Sequence, residues 1–168
     1  LTGCVMRTRA DVEALDEEGY AKTARRARAW AAFNAAIAAP PTQAFPHYEE
    51  IVQEAIQLDD TELEIRGRGA QALAAVEVGH PNPGEMLRAA ALGAEAAGAF
   101  DIAGQCWASF AEQPGDLVER ARAARRAFAL IPEDPLGPYA MYSVAVDAYN
   151  ADDNDLAAAL AAEKPAGA

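Results

Sequence analysis

Apolar residues recur every three to four positions along most of this chain, with charged and polar residues between them. This spacing places the apolar side chains on one face of an α-helix. It is clearest from Ala103 to Pro138, where a break at Pro114 and Gly115 separates two striped segments and a proline-rich stop follows. Neither segment can bury its stripe alone, so the pattern predicts that further helices of the same kind pack beside them.

Start and stop signals divide the chain into about eight or nine helices joined by short turns. The first helix is predicted from about Asp11 to Ala39, with a break near Gly19. Pro46 is placed in the first turn of the second helix, and Thr61 opens the third as part of a capping box. Asp116 is expected to cap a later helix. No stretch alternates apolar and polar residues as a strand does, so the sequence predicts an all-α fold.

The length of 168 residues fits one domain with its own core. We assign residues 1–10 to an N-terminal tether, 11–163 to a single helical-repeat domain and 164–168 to a frayed tail. Hydrophobic residues make up 52% of the chain, and many of them are alanine. Because alanine favours helices but fills little core volume, the helices are expected to approach one another closely.

The net charge of −12 argues against broad nucleic-acid binding, which needs a basic surface. The same charge argues against adsorption to anionic lipid. No run approaches the roughly 18 apolar residues of a membrane-spanning helix. The acidic surface is expected mainly to keep an alanine-rich protein in solution.

Similar helix endings recur at a period in the mid-thirties. The segments Ala55–Asp60 and Ala127–Pro132 share a shape and lie 72 residues apart, and another helix is predicted to end midway, at Gly93. Periods of this length are typical of stacked helix–turn–helix repeats.

Roughly residues 45 to 160 resemble the tetratricopeptide and Sel-like repeats. Ala127-Phe-Ala-Leu-Ile-Pro132 is similar to the ending of the tetratricopeptide second helix, and Ala103, Gly104 and Trp107 are similar to the small and aromatic positions of the first. Arg88-Ala-Ala-Ala-Leu-Gly93 is similar to the Sel-like ending. The segment between Gly104 and Gly115 is about four residues longer than in the tetratricopeptide unit. The resemblance implies a short right-handed α-solenoid of stacked hairpins with a protein-binding role.

The first residues, Leu1-Thr2-Gly3-Cys4, resemble the lipobox of bacterial lipoproteins. If the motif is genuine, Cys4 carries the lipid and the protein lies on the periplasmic side of a bacterial envelope. If the tetrapeptide is accidental, the chain is expected in the cytoplasm. The other cysteine, Cys106, lies in a helical stripe and is interpreted as a small buried hydrophobe.

Side chains suited to catalysis or metal binding are scarce. His47 and Glu50 are spaced as half of a metal site, but nothing nearby supplies further ligands, and His80 lies alone in a proline-rich turn. The acidic run at 152–155 lacks the glycine and final glutamate of a calcium loop and is interpreted as a helix cap. We therefore predict no catalytic residue, no metal and no cofactor, and we expect the protein not to be an enzyme.

Arginines and tyrosines supply the candidate binding residues. Arg122, Arg125 and Arg126 lie three or four residues apart on one helical face, which either balances the acidic surface or clamps a partner's carboxylate. The stripe of Tyr139, Tyr142 and Tyr149 belongs either to the core and caps or to a binding surface. The predicted partner groove consists of Arg122, Arg125, Tyr139 and Tyr142.

The sequence favours a non-enzymatic scaffold that holds a protein or peptide partner. One alternative is a permanent structural subunit of a larger, membrane-associated complex. Another is a helical small-ligand binder or enzyme. Nucleic acid is not an expected partner, and contact with a membrane is expected only through a lipid on Cys4.

Overall fold

The computed structural model describes the backbone of residues 9–163 and the side chains of residues 17–163. Within this range the chain forms helices and no strand, which confirms the all-α prediction. The eight helices are α1 (Arg9–Ala38), α2 (Pro41–Gln57), α3 (Thr61–Glu77), α4 (Pro83–Ala96), α5 (Phe100–Ala111), α6 (Leu117–Leu130), α7 (Leu136–Asn150) and α8 (Asn154–Ala162).

Each helix packs against the next one along the chain, and a second set of contacts joins alternate helices. The helix α3 touches α1 and α5, and α5 also touches α7, whereas no two even-numbered helices make comparable contact. The odd-numbered helices therefore form a continuous layer, and the even-numbered helices are spread apart on its other side. This arrangement is a stack of helical hairpins, as predicted; its right-handed sense remains a prediction.

Small residues set the distance between the helices. Alanine is the commonest buried residue, and Gly69 and Gly104 lie where a larger side chain would collide. A Cβ atom on Gly69 would lie 2.5 Å from Cγ2 of Ile102, and one on Gly104 would lie 2.6 Å from Cγ2 of Ile131. Each glycine thus leaves room for an isoleucine from farther along the chain. The helices can therefore pack closely although few large side chains fill the core.

Four helices end in the same type of turn. The residue after the C-cap has a positive φ at Asp59, Gly79, Gly98 and Asp152, and the next residue donates a hydrogen bond to the carbonyl five positions earlier. After Asp152, Asp153 caps α8 by accepting a hydrogen bond from the Leu156 amide at 3.1 Å. The acidic run at 152–155 therefore provides a helix cap, as predicted.

Several predicted helix boundaries were wrong. The helix α1 continues through Gly19 without a break, and it begins at Arg9, inside the predicted tether. Pro41 rather than Pro46 occupies the first turn of α2, and Pro46 lies within the helix. Asp60 rather than Thr61 caps α3, because its carboxylate accepts a hydrogen bond from the Leu63 amide.

The proposed lipid-attachment residue, Cys4, and the predicted tail at 164–168 lie outside the described residues. In the part of the chain that is described, no helix is both long and apolar enough to span a bilayer.

Candidate binding cleft

A cleft that combines aromatic and charged side chains lies between α4 and α6. These two helices form its walls, and α5 forms its floor. The cleft has a volume of about 400 Å³ and is open to solvent. It is lined by Arg88, Leu92, Glu95, Trp107, Phe110, Glu119, Arg122, Ala123 and Arg126.

The order of the helices fixes where each wall residue lies along the cleft. Short turns join α4 to α5 and α5 to α6, so the two wall helices run in the same direction and the floor helix runs in the opposite one. Glu95 and Arg126 therefore meet near the carboxyl ends of the walls. Arg88 and Glu119 lie toward the opposite end, with Arg122 between.

A carboxylate holds one end of the cleft together. Glu95 accepts a hydrogen bond from the indole Nε1–H of Trp107 at 2.5 Å and another from Nε of Arg126 at 2.8 Å. A second guanidinium nitrogen of Arg126 contacts the other carboxylate oxygen, so the pair is bidentate. The Arg126 guanidinium holds the pKa of Glu95 below its ordinary value against the opposing effect of burial, and the indole hydrogen bond adds to this lowering. The ionised carboxylate thus joins α4, α5 and α6.

The floor of the cleft is aromatic. Trp107 and Phe110 pack edge to face, with ring centroids 5.9 Å apart and an interplanar angle of 85°. Both rings are half-buried, and Leu92 on the α4 wall is 52% exposed. An apolar side chain entering the cleft would therefore cover surface that water now contacts.

Arginines without an acidic partner are concentrated at this cleft. Most arginines with described side chains pair with a carboxylate, for example Arg25 with Glu54 and Arg120 with Asp147. Only Arg28, Arg88 and Arg122 form no ion pair with another described residue. Of these three arginines, Arg88 and Arg122 line the cleft and are exposed.

The structure divides the predicted groove residues among different surfaces. Arg122 lines the cleft, whereas Arg125 forms an ion pair with Glu163 at the end of α8. Tyr139 and Tyr142 lie on α7 and do not line the cleft; their side chains are 55% and 67% exposed. Of the two alternatives for these tyrosines, their exposure excludes the core. With Val146 and Tyr149 they form an exposed stripe on α7.

A second tryptophan–carboxylate–arginine network lies at the other end of the stack. Asp60 is buried and accepts hydrogen bonds from Nε of Arg26 at 2.6 Å and from the indole of Trp30 at 2.9 Å. Burial opposes ionisation of Asp60, but the hydrogen bonds from Arg26, the Leu63 amide and Trp30 outweigh it and lower the pKa. This network fastens α1 to the turn between α2 and α3.

The remaining candidates for chemistry have structural partners. Nδ1 of His47 lies 3.7 Å from a carboxylate oxygen of Glu50, and both side chains are exposed. His80 packs against the ring of Phe45, with centroids 5.7 Å apart, and its Nδ1 accepts a hydrogen bond from the Asn82 amide. Cys106 is fully buried, as predicted, and burial raises the pKa of its thiol to about 12. Among the described side chains, no three metal-binding groups lie close enough to hold an ion.

The residues that the sequence did not identify are Arg88 and Glu95 on α4 and the aromatic floor as a binding surface. Trp107 was interpreted only as a packing residue of a repeat, and Glu95 is 31 residues from its partner Arg126. The heptad-like spacing of Arg88, Leu92 and Glu95, which places them on one helical face, was the available signal.

Comparison with known proteins assigns no family to this arrangement. No protein-family model, curated protein or solved structure matches the chain significantly. The resemblance to tetratricopeptide and Sel-like repeats therefore remains a prediction. The all-α stack of hairpins is consistent with it.

Proposed function

We propose that this chain is a non-enzymatic helical scaffold that binds a segment of a protein partner in the cleft between α4 and α6. The observation that carries this proposal is the combination of a half-exposed aromatic floor with arginines that lack acidic partners. Tryptophan and arginine are enriched among the residues that dominate binding energy at protein interfaces. A cleft of about 400 Å³ has room for one or two large side chains as anchors.

The position of the cleft within the stack also supports binding of an extended or helical segment. Its walls are two helices that run in the same direction, and the odd-numbered layer beneath them is continuous. Because the floor is held by packing from several helices, the cleft is largely formed before a partner arrives. A preformed site reduces the entropy lost on binding.

The experiment is selection of a random peptide display library on the whole chain, followed by fluorescence polarisation with the enriched peptides. Leu92→Ser removes an apolar wall residue, and Val118→Ser removes an equally exposed apolar residue of α6 that does not line the cleft. We expect Leu92→Ser to raise Kd about tenfold, since burying a leucine contributes roughly 1.5–3 kcal/mol. Val118→Ser should leave Kd unchanged. Failure to enrich any peptide would contradict the proposal.

A second candidate function is a permanent subunit of a larger complex, and the exposed stripe on α7 favours it. Tyr139, Tyr142, Val146 and Tyr149 form an apolar surface that no described residue covers. Contiguous apolar patches of this kind mark protein interfaces. Light scattering separates the two candidates: a monodisperse monomer favours the scaffold, and obligate association favours the subunit.

Lipid attachment at Cys4 would place this scaffold at a bacterial envelope. The proposal rests on the lipobox-like tetrapeptide at residues 1–4. Intact mass spectrometry of the protein extracted from its native cells tests it, because acylation adds the mass of the chains. A mass equal to that of the unmodified polypeptide would contradict the anchor without affecting the cleft.

A further inference from the structure

Resting on the proposed function, we infer that the segment bound in the α4–α6 cleft is acidic. Its large apolar side chain lies on Trp107 and Phe110, and neighbouring carboxylates pair with Arg88 and Arg122. The partner is therefore a protein segment in which an aromatic or large aliphatic residue is flanked by aspartate or glutamate.

The charge distribution supports an acidic rather than a basic segment. The chain carries a net charge of −12, and acidic residues neutralise most of its described arginines. Arg88 and Arg122 instead remain available, and they flank an apolar floor. Guanidinium groups bind carboxylates through paired, charge-assisted hydrogen bonds, which are stronger beside apolar surface than in open water.

The cleft is also polarised along its length. At one end Arg126 is bound by Glu95, so this pair offers no net charge to a ligand. Toward the other end, Arg88 and Arg122 face only one acidic lining residue, Glu119, which forms no ion pair with them. The carboxylates of the segment should therefore lie toward the amino-terminal ends of α4 and α6, away from the Trp107–Glu95 contact.

The chain supplies a matched control for the two cleft arginines. Arg28 on α1 also forms no ion pair with a described residue, but it lies outside the cleft. A substitution of Arg28 therefore removes an equivalent positive charge without altering the site. Any of these arginines attracts an acidic peptide at long range. A difference in affinity between a cleft variant and the Arg28 variant therefore measures local pairing rather than the change in net charge.

The experiment uses one enriched peptide core synthesised in three forms, with flanking aspartate, asparagine or lysine residues. We expect the aspartate form to bind most tightly and the lysine form most weakly. Arg88→Gln and Arg122→Gln should each weaken binding of the aspartate peptide several-fold, and the double variant should weaken it about tenfold and abolish its advantage over the asparagine form. Arg28→Gln should leave both affinities within twofold, and circular dichroism should show unchanged helicity in every variant.

Several results would overturn the inference while leaving the proposed function intact. One is an affinity of the asparagine or lysine peptide equal to that of the aspartate peptide. Another is a loss of affinity on Arg28→Gln as large as the loss on substitution of the cleft arginines. As a small-molecule probe, 3-phenylpropionate carries one aromatic ring and one carboxylate. If it bound as tightly as the aspartate peptide, the site would belong to a small ligand rather than to a protein segment. If no peptide bound at all, the proposed function itself would fail.

Discussion

The indole of Trp107 donates a hydrogen bond to the carboxylate of Glu95 at 2.5 Å, and this contact fixes the geometry of the cleft. The tryptophan lies on the floor helix and the glutamate on a wall helix. Arg126 binds the same carboxylate from the opposite wall, so one acidic group sets both the spacing of the walls and the orientation of the indole. The contact therefore links the packing of the stack to its proposed role in binding.

Glu95→Gln is expected to tighten binding of an acidic peptide while weakening the fold. The amide can still accept the indole hydrogen bond, but Arg126 loses its charged partner and adds positive charge to the cleft. We expect a several-fold lower Kd for the aspartate peptide and a fall of about 1 kcal/mol in the free energy of unfolding. Glu85→Gln, on the same helix but outside the cleft, is the control. Weaker binding of the aspartate peptide by Glu95→Gln would contradict this account of the charges in the cleft.

Asp60→Asn is expected to destabilise the fold at neutral pH and to lose its effect in acid. The folded-state pKa of Asp60 is lowered, so its ionised form stabilises the protein. This stabilisation is complete above the ordinary aspartate pKa of about 4, and it disappears as the pH falls through the folded-state pKa. We expect a loss of about 2 kcal/mol at pH 7, measured by urea denaturation.

The neighbouring residue provides the control for Asp60. Asp59 is exposed and pairs with Lys22 at 3.4 Å, and asparagine tolerates its positive φ. Asp59→Asn should therefore change the free energy of unfolding by less than about 0.5 kcal/mol at any pH. A loss for Asp60→Asn that stays the same from pH 7 to the acid limit would exclude ionisation as its source.

Gly104→Ala should destabilise the stack, and Gly93→Ala should not. A Cβ atom on Gly104 would meet three carbons of Ile131 at 2.6–3.1 Å, whereas one on Gly93 would meet nothing within 4 Å. Overpacking outweighs the gain in helix propensity at Gly104, so we expect a net cost of about 1–2 kcal/mol. Gly93→Ala should instead stabilise by about 0.5–1 kcal/mol.

The Ile131 side chain can be removed to test the cause of this cost. In an Ile131→Ala background the crowding carbons are absent, so Gly104→Ala should become neutral or stabilising in thermal denaturation. An unchanged cost in that background would show that the glycine is needed for another reason.

Asp152→Gly is expected to stabilise the turn between α7 and α8. Asp152 has a φ of 62°, in the left-handed region that glycine adopts without a steric penalty. We expect the free energy of unfolding to rise by about 0.5–1 kcal/mol. Asp152→Ala, which lacks a polar side chain suited to this conformation, should lower it. A lower melting temperature for the glycine variant would indicate that the Asp152 carboxylate has a stabilising role that the described contacts do not include.

The sequence predicted the helices well because their signals are local. Apolar spacing depends on residues within one or two turns, and Asp116 caps its helix through an amide three residues away. The third helix was different, since the sequence pattern favoured Thr61 as the cap and the structure has Asp60 in that role. Asp60 also accepts hydrogen bonds from Arg26 and Trp30, which are 34 and 30 residues away. A local sequence pattern cannot predict contacts over that separation.

The sequence left open whether the tyrosines of α7 belong to the core or to a binding surface. Their exposure has a physical reason: the buried face of α7 consists of Gly137, Ala140 and Ala148, which permit close packing, together with Met141 and Val144. Where helices pack closely through small side chains, small residues occupy much of the buried face. The size of a side chain is therefore a poor guide to its burial here. The cleft was missed for a related reason: its walls come from different hairpins, and their proximity depends on the spacing of the even-numbered helices.

The most direct test of the cleft as the binding site is the ¹H–¹⁵N spectrum of the two tryptophan side chains during titration with the aspartate peptide. Both indoles donate to a carboxylate, but only Trp107 lies in the cleft, so Trp30 is an internal control. The account predicts a saturable shift of the Trp107 indole resonance, with backbone shifts confined to α4, α5 and α6, and no shift of Trp30. A static Trp107 resonance, with shifts on α1 or on the tyrosine face of α7, would contradict it.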